Sequence, residues 1–265
     1  MALVRVHVVS DVHGNAEALA RAGDGADALV VLGDLVDFVD YYDHGKGILG
    51  RVFGAEKVEV FARLRRGRFG AETVRYMRSL WEGLDNAADV VQEAIMEQYT
   101  AMFAAMSAPT YATPGNVDSP ELWPMFARDG VHVLDGQVAE IGGLRFGFAG
   151  GALLHPGFVP NRRGPWRPYL RTEEEFGAAL AGLGEVDVLC THVPPAVAEL
   201  TYDVVARRPE LGSTSLLKVI ERDRPRWSVF GHVHQPMARR VRVGWTECVN
   251  VGHFQRTGTP HVLRW

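Results

Sequence analysis

Cysteine is nearly missing: Cys190 and Cys248 are the only two in 265 residues, too few for a disulfide scaffold or a four-thiolate zinc site. No apolar run approaches the roughly 20 residues that a membrane-spanning helix needs. The first residues offer neither the long apolar stretch nor the small-residue cleavage site of a signal peptide. Neither sign of charge dominates. The 28 Lys and Arg stand against 32 Asp and Glu, a formal net charge of -4, which argues against a surface built throughout to coat nucleic acid or an anionic membrane. Internal repeats, low-complexity tracts and flexible linkers are absent as well. The expectation is a cytoplasmic chain with no membrane association. What remains is an ordinary globular mix, 47% hydrophobic and 23% charged, of a length that suits one large or two small domains.

The apolar runs carry the fold. Leu3 to Val9 is rich in β-branched residues and stops at Ser10 and Asp11. A helical stretch from Asn15 to Ala22 follows, then a second run, Ala28 to Leu32, ending at Gly33 and Asp34. This order predicts a parallel βαβ unit with strands buried on both faces. From residue 38 to 107 the rhythm breaks. A glycine-punctuated loop, Tyr41 to Gly54, is expected to lead into helices that end before Pro109. There Val91, Ile95, Tyr99, Met102, Phe103 and Met106 recur at helical spacing, and Asn86 with Asp89 three positions on suggests an N-cap. Segment 38–107 reads as a helical insertion whose Met and aromatic stripe is core or an oligomer interface.

Beyond it, Thr110 to Thr113 is a strand. Val131 to Leu134, Gln137 to Ile141 and Leu144 to Ala149 read as antiparallel strands joined by Asp135-Gly136 and Gly142-Gly143 turns. Val186 to Thr191, a helix from Ser213 to Arg222, Trp227 to Phe230, Glu247 to Val251 and His261 to Trp265 complete the pattern. The expected class is α/β: a two-sheet sandwich of mixed strands flanked by helices, a single domain over 1–265 with the helical insertion inside it.

Five of these strands end in metal-capable side chains: Asp11 and His13, then Asp34, Asn116, His192, and His232 with His234. Parallel strands present their carboxyl ends to one crevice, so distant positions can deliver ligands to a single point. Oxygen and imidazole donors in this number exceed one four-coordinate zinc and suit two adjacent cations sharing a carboxylate. On extended backbone, Asp-x-His and His-x-His would place both side chains of each pair on one side.

The segments SDVHGN (Ser10 to Asn15), GDLVD (Gly33 to Asp37), GNVD (Gly115 to Asp118), THVPP (Thr191 to Pro195) and GHVH (Gly231 to His234) resemble, in order, the five motifs of the calcineurin-like metallophosphoesterase superfamily. The helix start at Gly212-Ser213 and the NVG turn at Asn250 to Gly252 add to the likeness. The resemblance implies two divalent metal ions of Mn, Fe, Zn, Ni or Co. Asp11, His13 and His234 would hold one, Asn116, His192 and His232 the other, and Asp34 would bridge them. It further implies a hydroxide between the ions as nucleophile on a small phosphate ester.

One position departs from the family pattern. Members commonly carry a histidine between the asparagine and the acidic residue of the third motif, and here that position is Val117. Members lacking it resemble bacterial phosphodiesterases, which favours phosphodiesters over phosphomonoesters, good leaving groups, or a substitute acid. Asp118, His253 and His155 are the candidate substitutes, and Asp118 has the competing reading of a turn or ligand-orienting residue.

Asn15 either contacts phosphate or caps its helix, and capping is favoured. Arg162, Arg163 and Arg167, in the Pro- and Trp-bearing loop from His155 to Tyr169, and Arg256 beyond the NVG turn are candidate phosphate contacts. That loop reads as a lid or as packing for Trp166. Between Arg51 and Arg78, Arg51, Lys57, Arg63, Arg65, Arg66, Arg68, Arg75 and Arg78 face only Glu56, Glu59 and Glu72. A solvated helix face is the favoured reading; nucleic acid is an admitted but not favoured partner. Cys190, inside an apolar strand, reads as a small buried hydrophobe. The alternatives to a phosphodiesterase are a catalytically silent scaffold of the same fold and a nuclease.

Overall fold

Strands apolar on both faces must be covered on both faces, and the chain does this by stacking two sheets between two layers of helices. The computed structural model describes residues 3–67, 70–107, 109–156 and 164–265. Arg5–Val9 (β1), Ala16–Ala22 (α1) and Ala28–Val31 (β2) open the chain. Four helices follow: Gly47–Phe53 (α2), Ala55–Gly67 (α3), Ala71–Glu82 (α4) and Ala87–Ala105 (α5). Next come Thr110–Ala112 (β3), a 3-10 turn at Pro120–Phe126, Val131–Val133 (β4), Gln137–Ile141 (β5), Leu144–Ala149 (β6) and Ala152–Leu153 (β7). Leu170–Arg171 (β8), Glu173–Gly182 (α6), Val188–Thr191 (β9), Ala198–Thr201 (α7), Tyr202–Asp203 (β10) and Arg208–Pro209 (β11) lead to Thr214–Asp223 (α8) and Trp227–Phe230 (β12). Arg240–Val243 (β13), Thr246–Asn250 (β14), Phe254–Thr257 (α9) and His261–Arg264 (β15) close it.

One sheet runs β15-β1-β2-β3-β4 and the other β13-β14-β12-β9-β6-β5. β1 to β4 are mutually parallel, as are β14, β12, β9 and β6, while β15, β13 and β5 add antiparallel edges. The period of two sorts the side chains. Val6, Val8, Val30 and Leu32 meet Phe146, Phe148, Cys190 and Val229 between the sheets. From the opposite face of the first sheet Val9, Leu29 and Val31 pack on α1, α2 and α5. Leu189, Phe230 and Cys248 of the second sheet pack under α6 and α8. Among the described residues no helix is long and apolar enough to cross a membrane.

Several local expectations are corrected. The loop expected from Tyr41 to Gly54 contains α2. Its glycines lower helix propensity, but burial of Ile48 and Leu49 overrides that. Asn86 sits in the left-handed region at φ 55° and makes no side-chain cap. Val131–Val133 is not antiparallel to its neighbours in sequence: it joins the first sheet parallel to β3, and Asp135-Gly136 is the crossover to the second sheet. Helix α6 and strand β13 were not anticipated, although each has a sequence signal. Thr172 and Glu175 form a reciprocal capping box at α6, and Arg240-Val241-Arg242-Val243 alternates before a Gly244-Trp245 turn.

The Met and aromatic stripe of α5 is core. Phe103 stacks on Phe126 at 5.4 Å and meets Trp123 edge-on at 5.4 Å, and Tyr99 meets Trp123 at 6.1 Å. Phe103→Ala is therefore expected to lower unfolding stability by about 3–5 kcal/mol, read as the shift in denaturant midpoint. A change under about 1 kcal/mol would show that this cluster is not tightly packed.

Candidate metal centre

The two sheets point the carboxyl ends of their parallel strands at one crevice. Asp11, Asp34 and Asn116 leave β1, β2 and β3 of the first sheet; His192 and His232 leave β9 and β12 of the second. Backbone bonds lace the first two exits together: the Asp11 N–H donates to Gly33 O at 3.1 Å and the His13 N–H to Asp34 O at 2.8 Å. Neither exit is extended. Asp11, His13, Asp34 and His232 have φ of 56°, 39°, 52° and 66°, which corrects the extended-strand reading of Asp-x-His and His-x-His. Each such residue stores on the order of 1–3 kcal/mol of strain, a burden that collects at functional sites. Gly115 and Gly231 show why glycine precedes two of the expected ligands. A Cβ on Gly115 would overlap Asp34, and one on Gly231 would overlap Ser10 and Asp11.

All seven expected ligands meet there. Asp34 Oδ2 lies 3.8 Å from His13 Nε2 and 3.4 Å from His192 Nε2, between the two histidine groups. Asp11 Oδ1 lies 3.2 Å from His234 Nε2 and 4.0 Å from His13 Nε2. Asn116 Oδ1 lies 3.1 Å from His192 Nε2 and 2.8 Å from His232 Nδ1. The donor set fits cations. His13 and His192 place Nδ1 3.1 Å from Val36 O and 2.8 Å from Leu32 O; a carbonyl only accepts, so each Nδ1 carries a proton, and the neutral ring, the form that can bind a cation, turns the Nε2 lone pair inward. Asp11 Oδ1 is buried without a hydrogen-bond partner, and His13 Nε2 faces His234 Nε2 at 3.4 Å. Lone pairs that converge in this way suit a bound cation.

The titration of the metal-free chain agrees. Burial would raise both carboxyls, but the imidazoles of His234, His192 and His13 hold Asp11 well below the usual range, and His192 and His13 bring Asp34 down to about 2. Burial would lower His192; Asp34 and Asp11 outweigh it and lift its pKa to about 9. With His192 protonated beside it, His232 is pushed by burial and that charge down to about 4.

The family profile of Calcineurin-like phosphoesterase matches residues 4–236, most of the chain. The chain belongs to the calcineurin-like phosphoesterase family. A solved crystal structure covers 100% of this phosphoesterase and 99% of its own chain, with a TM-score of 0.61 and 15% identity. TT1561 of Thermus thermophilus covers 99% of both chains, with a TM-score of 0.54 and 13% identity. At these identities the likeness establishes the fold. No curated protein sequence matches.

The phosphoesterase places the remaining expected residues as follows. Asp118 is fully buried: its oxygens accept from the N–H groups of Leu35 at 3.0 Å and Gly115 at 2.8 Å, and from the Tyr99 hydroxyl at 3.3 Å. It ties the β2 exit to the β3 exit and cannot reach a leaving group, which corrects the expectation of a catalytic acid; burial and the Asp34 charge raise it to about 6. Asn15 caps α1: its Oδ1 accepts from the Ala18 N–H at 3.1 Å, and its Nδ2 donates to Gln255 O at 3.0 Å. His253 stacks on His234 at 3.8 Å. Burial and the neighbouring His234 lower its pKa to about 3. His155 is exposed beyond β7.

Arg162 and Arg163 lie outside the described residues, as does Arg68. Trp166 stacks on Phe38 at 4.1 Å, the packing alternative for that loop. Arg256 lies over the Tyr42 ring at 4.2 Å. Tyr42 also receives a hydrogen bond from Gln235 Nε2 at 3.4 Å, next in sequence to His234, the most open of the clustered histidines. In the basic segment Arg51 is paired with Glu97 at 3.0 Å. Sequence reasoning missed Tyr99, Gln98 and Gln255. Gln98 clamps the Asp37 backbone from α5, donating to its carbonyl and accepting from its N–H, and Gln255 donates to His13 O at 3.0 Å; neither has a local signal.

Replacing Asp118 by asparagine turns one acceptor into a donor facing an N–H. Asp118→Asn is expected to destabilise the protein by about 1–3 kcal/mol in thermal or denaturant unfolding. An unchanged midpoint would contradict the positioning role.

Proposed function

We propose that this phosphoesterase holds two divalent cations and hydrolyses phosphodiesters in preference to phosphomonoesters. The observation that carries the reading is the position of Asp34 Oδ2 between His13 and His192. Asp11, His13 and His234 would hold one ion, Asn116, His192 and His232 the other, and Asp34 both. Such a pair supplies an acidified water and neutralises phosphoryl oxygens. The protein supplies the rest. The Val117 N–H donates to Asp34 Oδ1 at 2.9 Å, fixing the carboxylate so that Oδ2 faces the histidines. The valine side chain packs on the core and has no proton to give. With Asp118 internal and His253 neutral, the leaving group departs without a strong protein acid, which favours esters of acidic alcohols. Arg256 and Tyr42, at the open side of the cluster, are the proposed substrate contacts. The cytoplasm is the proposed compartment, in keeping with two buried free thiols.

The test is a panel of phosphate mono- and diesters on metal-stripped protein resupplied with Mn or Zn. Metal-restored turnover of aryl diesters is expected, falling steeply as the leaving alcohol becomes less acidic. Val117→His is expected to flatten that dependence, and Asp34→Asn to abolish turnover. Full activity of Asp34→Asn would show that hydrolysis arises elsewhere. Metal uptake without turnover on any ester would support a silent scaffold, and cleavage confined to nucleic acid a nuclease.

A further inference from the structure

One peptide group links Asn116 to Asp34. The amide between Asn116 and Val117 donates its N–H to Asp34 Oδ1 at 2.9 Å and accepts, at its carbonyl, the Tyr169 N–H at 2.8 Å. The first bond leaves Asp34 Oδ2 to His13 and His192. The same stretch of backbone carries the Asn116 side chain, whose Oδ1 approaches His192 and His232. A peptide is planar and stiff, so whatever fixes the carbonyl end also fixes the direction of the N–H. A carbonyl that accepts a hydrogen bond also polarises the N–H on its far side.

Tyr169 is itself held fast, by residues outside all five motifs. Its hydroxyl donates to Asp135 Oδ2 at 2.7 Å and accepts from Arg171 Nε at 3.0 Å. Arg171 Nη2 pairs with the same carboxylate oxygen at 2.6 Å. The other Asp135 oxygen takes the Gly150 N–H at 2.9 Å. The Tyr169 carbonyl accepts from the Ala152 N–H at 3.0 Å, and its ring lies so close to Gly151 that a Cβ there would stand 3.1 Å from it.

We propose that Asp135, Tyr169 and Arg171 are positioning residues for the metal centre. They hold the Asn116–Val117 peptide, and through it the amide ligand of one cation and the carboxylate shared by both. The inference rests on the two-cation reading above. It gives the crossover between the sheets and the start of β8 a part in the site, exerted through backbone alone.

The experiment measures zinc by metal analysis and chelator competition in stripped and reloaded wild type, in Tyr169→Phe, which keeps the ring and removes the hydroxyl, and in Asp135→Asn. Wild type is expected to take up two ions. Each variant is expected to hold the ion at Asn116, His192 and His232 at least about tenfold more weakly, since outer partners of a ligand are worth roughly 10–100-fold in affinity. The other ion, which shares only Asp34 with that peptide, is expected to lose less. With cadmium in place of zinc, NMR is expected to show two metal resonances in wild type and a shift of one in each variant, which a general loss of stability would not produce. In the wild type, which needs no variant to fold, the Tyr169 amide proton is expected to exchange slowly with solvent. Unaltered affinities and unshifted cadmium resonances in both variants, or a Tyr169 amide proton that exchanges as fast as one in an open loop, would overturn the proposal while leaving the two-cation reading intact. A wild-type protein that takes up no zinc would overturn both.

Discussion

A carboxylate held almost out of water between two groups of imidazoles is the constraint on which the rest of the site depends. Asp34 is placed by its own left-handed backbone, by the Val117 N–H on Oδ1, and by Gly115, which approaches too closely for any side chain. Its other oxygen is left for His13 and His192. In a low-dielectric crevice this arrangement has no favourable state unless positive charge is present. In the metal-free chain Asp34 and Asp11 lift the His192 pKa to about 9; the family's metal-dependent chemistry supplies positive charge otherwise.

The scaffold explains how such a cluster survives folding. Both sheets end their parallel strands at the same edge, so His13 and His234, 221 positions apart, arrive on stiff elements with apolar faces buried between them. The strain at Asp11, His13, Asp34 and His232 is offset by bonds that serve only to hold loops. Asp118 joins the β2 and β3 exits, and Asn250 donates to the carbonyls of Gly231 and Val233 at 3.2 and 2.9 Å. The helices of segment 38–107 take part, because Tyr99 and Gln98 of α5 reach Asp118 and the Asp37 backbone.

The strands, the two-sheet architecture and the metal-capable strand ends were legible because each rests on a local pattern: an apolar run, then a glycine and a polar residue. Whatever depended on contacts distant in sequence was not. Helix α2 forms against its own propensity because Ile48 and Leu49 are buried. β4 pairs with β3 across the 3-10 turn, a choice that the neighbouring turn residues did not reveal. Asp118 looked chemical by residue type, yet its oxygens are taken up by the Leu35 and Gly115 N–H groups, while Gln255 carried no signal and touches both His13 and His253. Residue type locates a candidate; only the partners of its polar atoms give its role.

The most direct test of the account is an anomalous difference map from a crystal of the protein loaded with manganese. The account predicts two peaks, about 3.5–4 Å apart, one on each side of Asp34 Oδ2. A single peak away from Asp34, or none from a fully loaded sample, would contradict it.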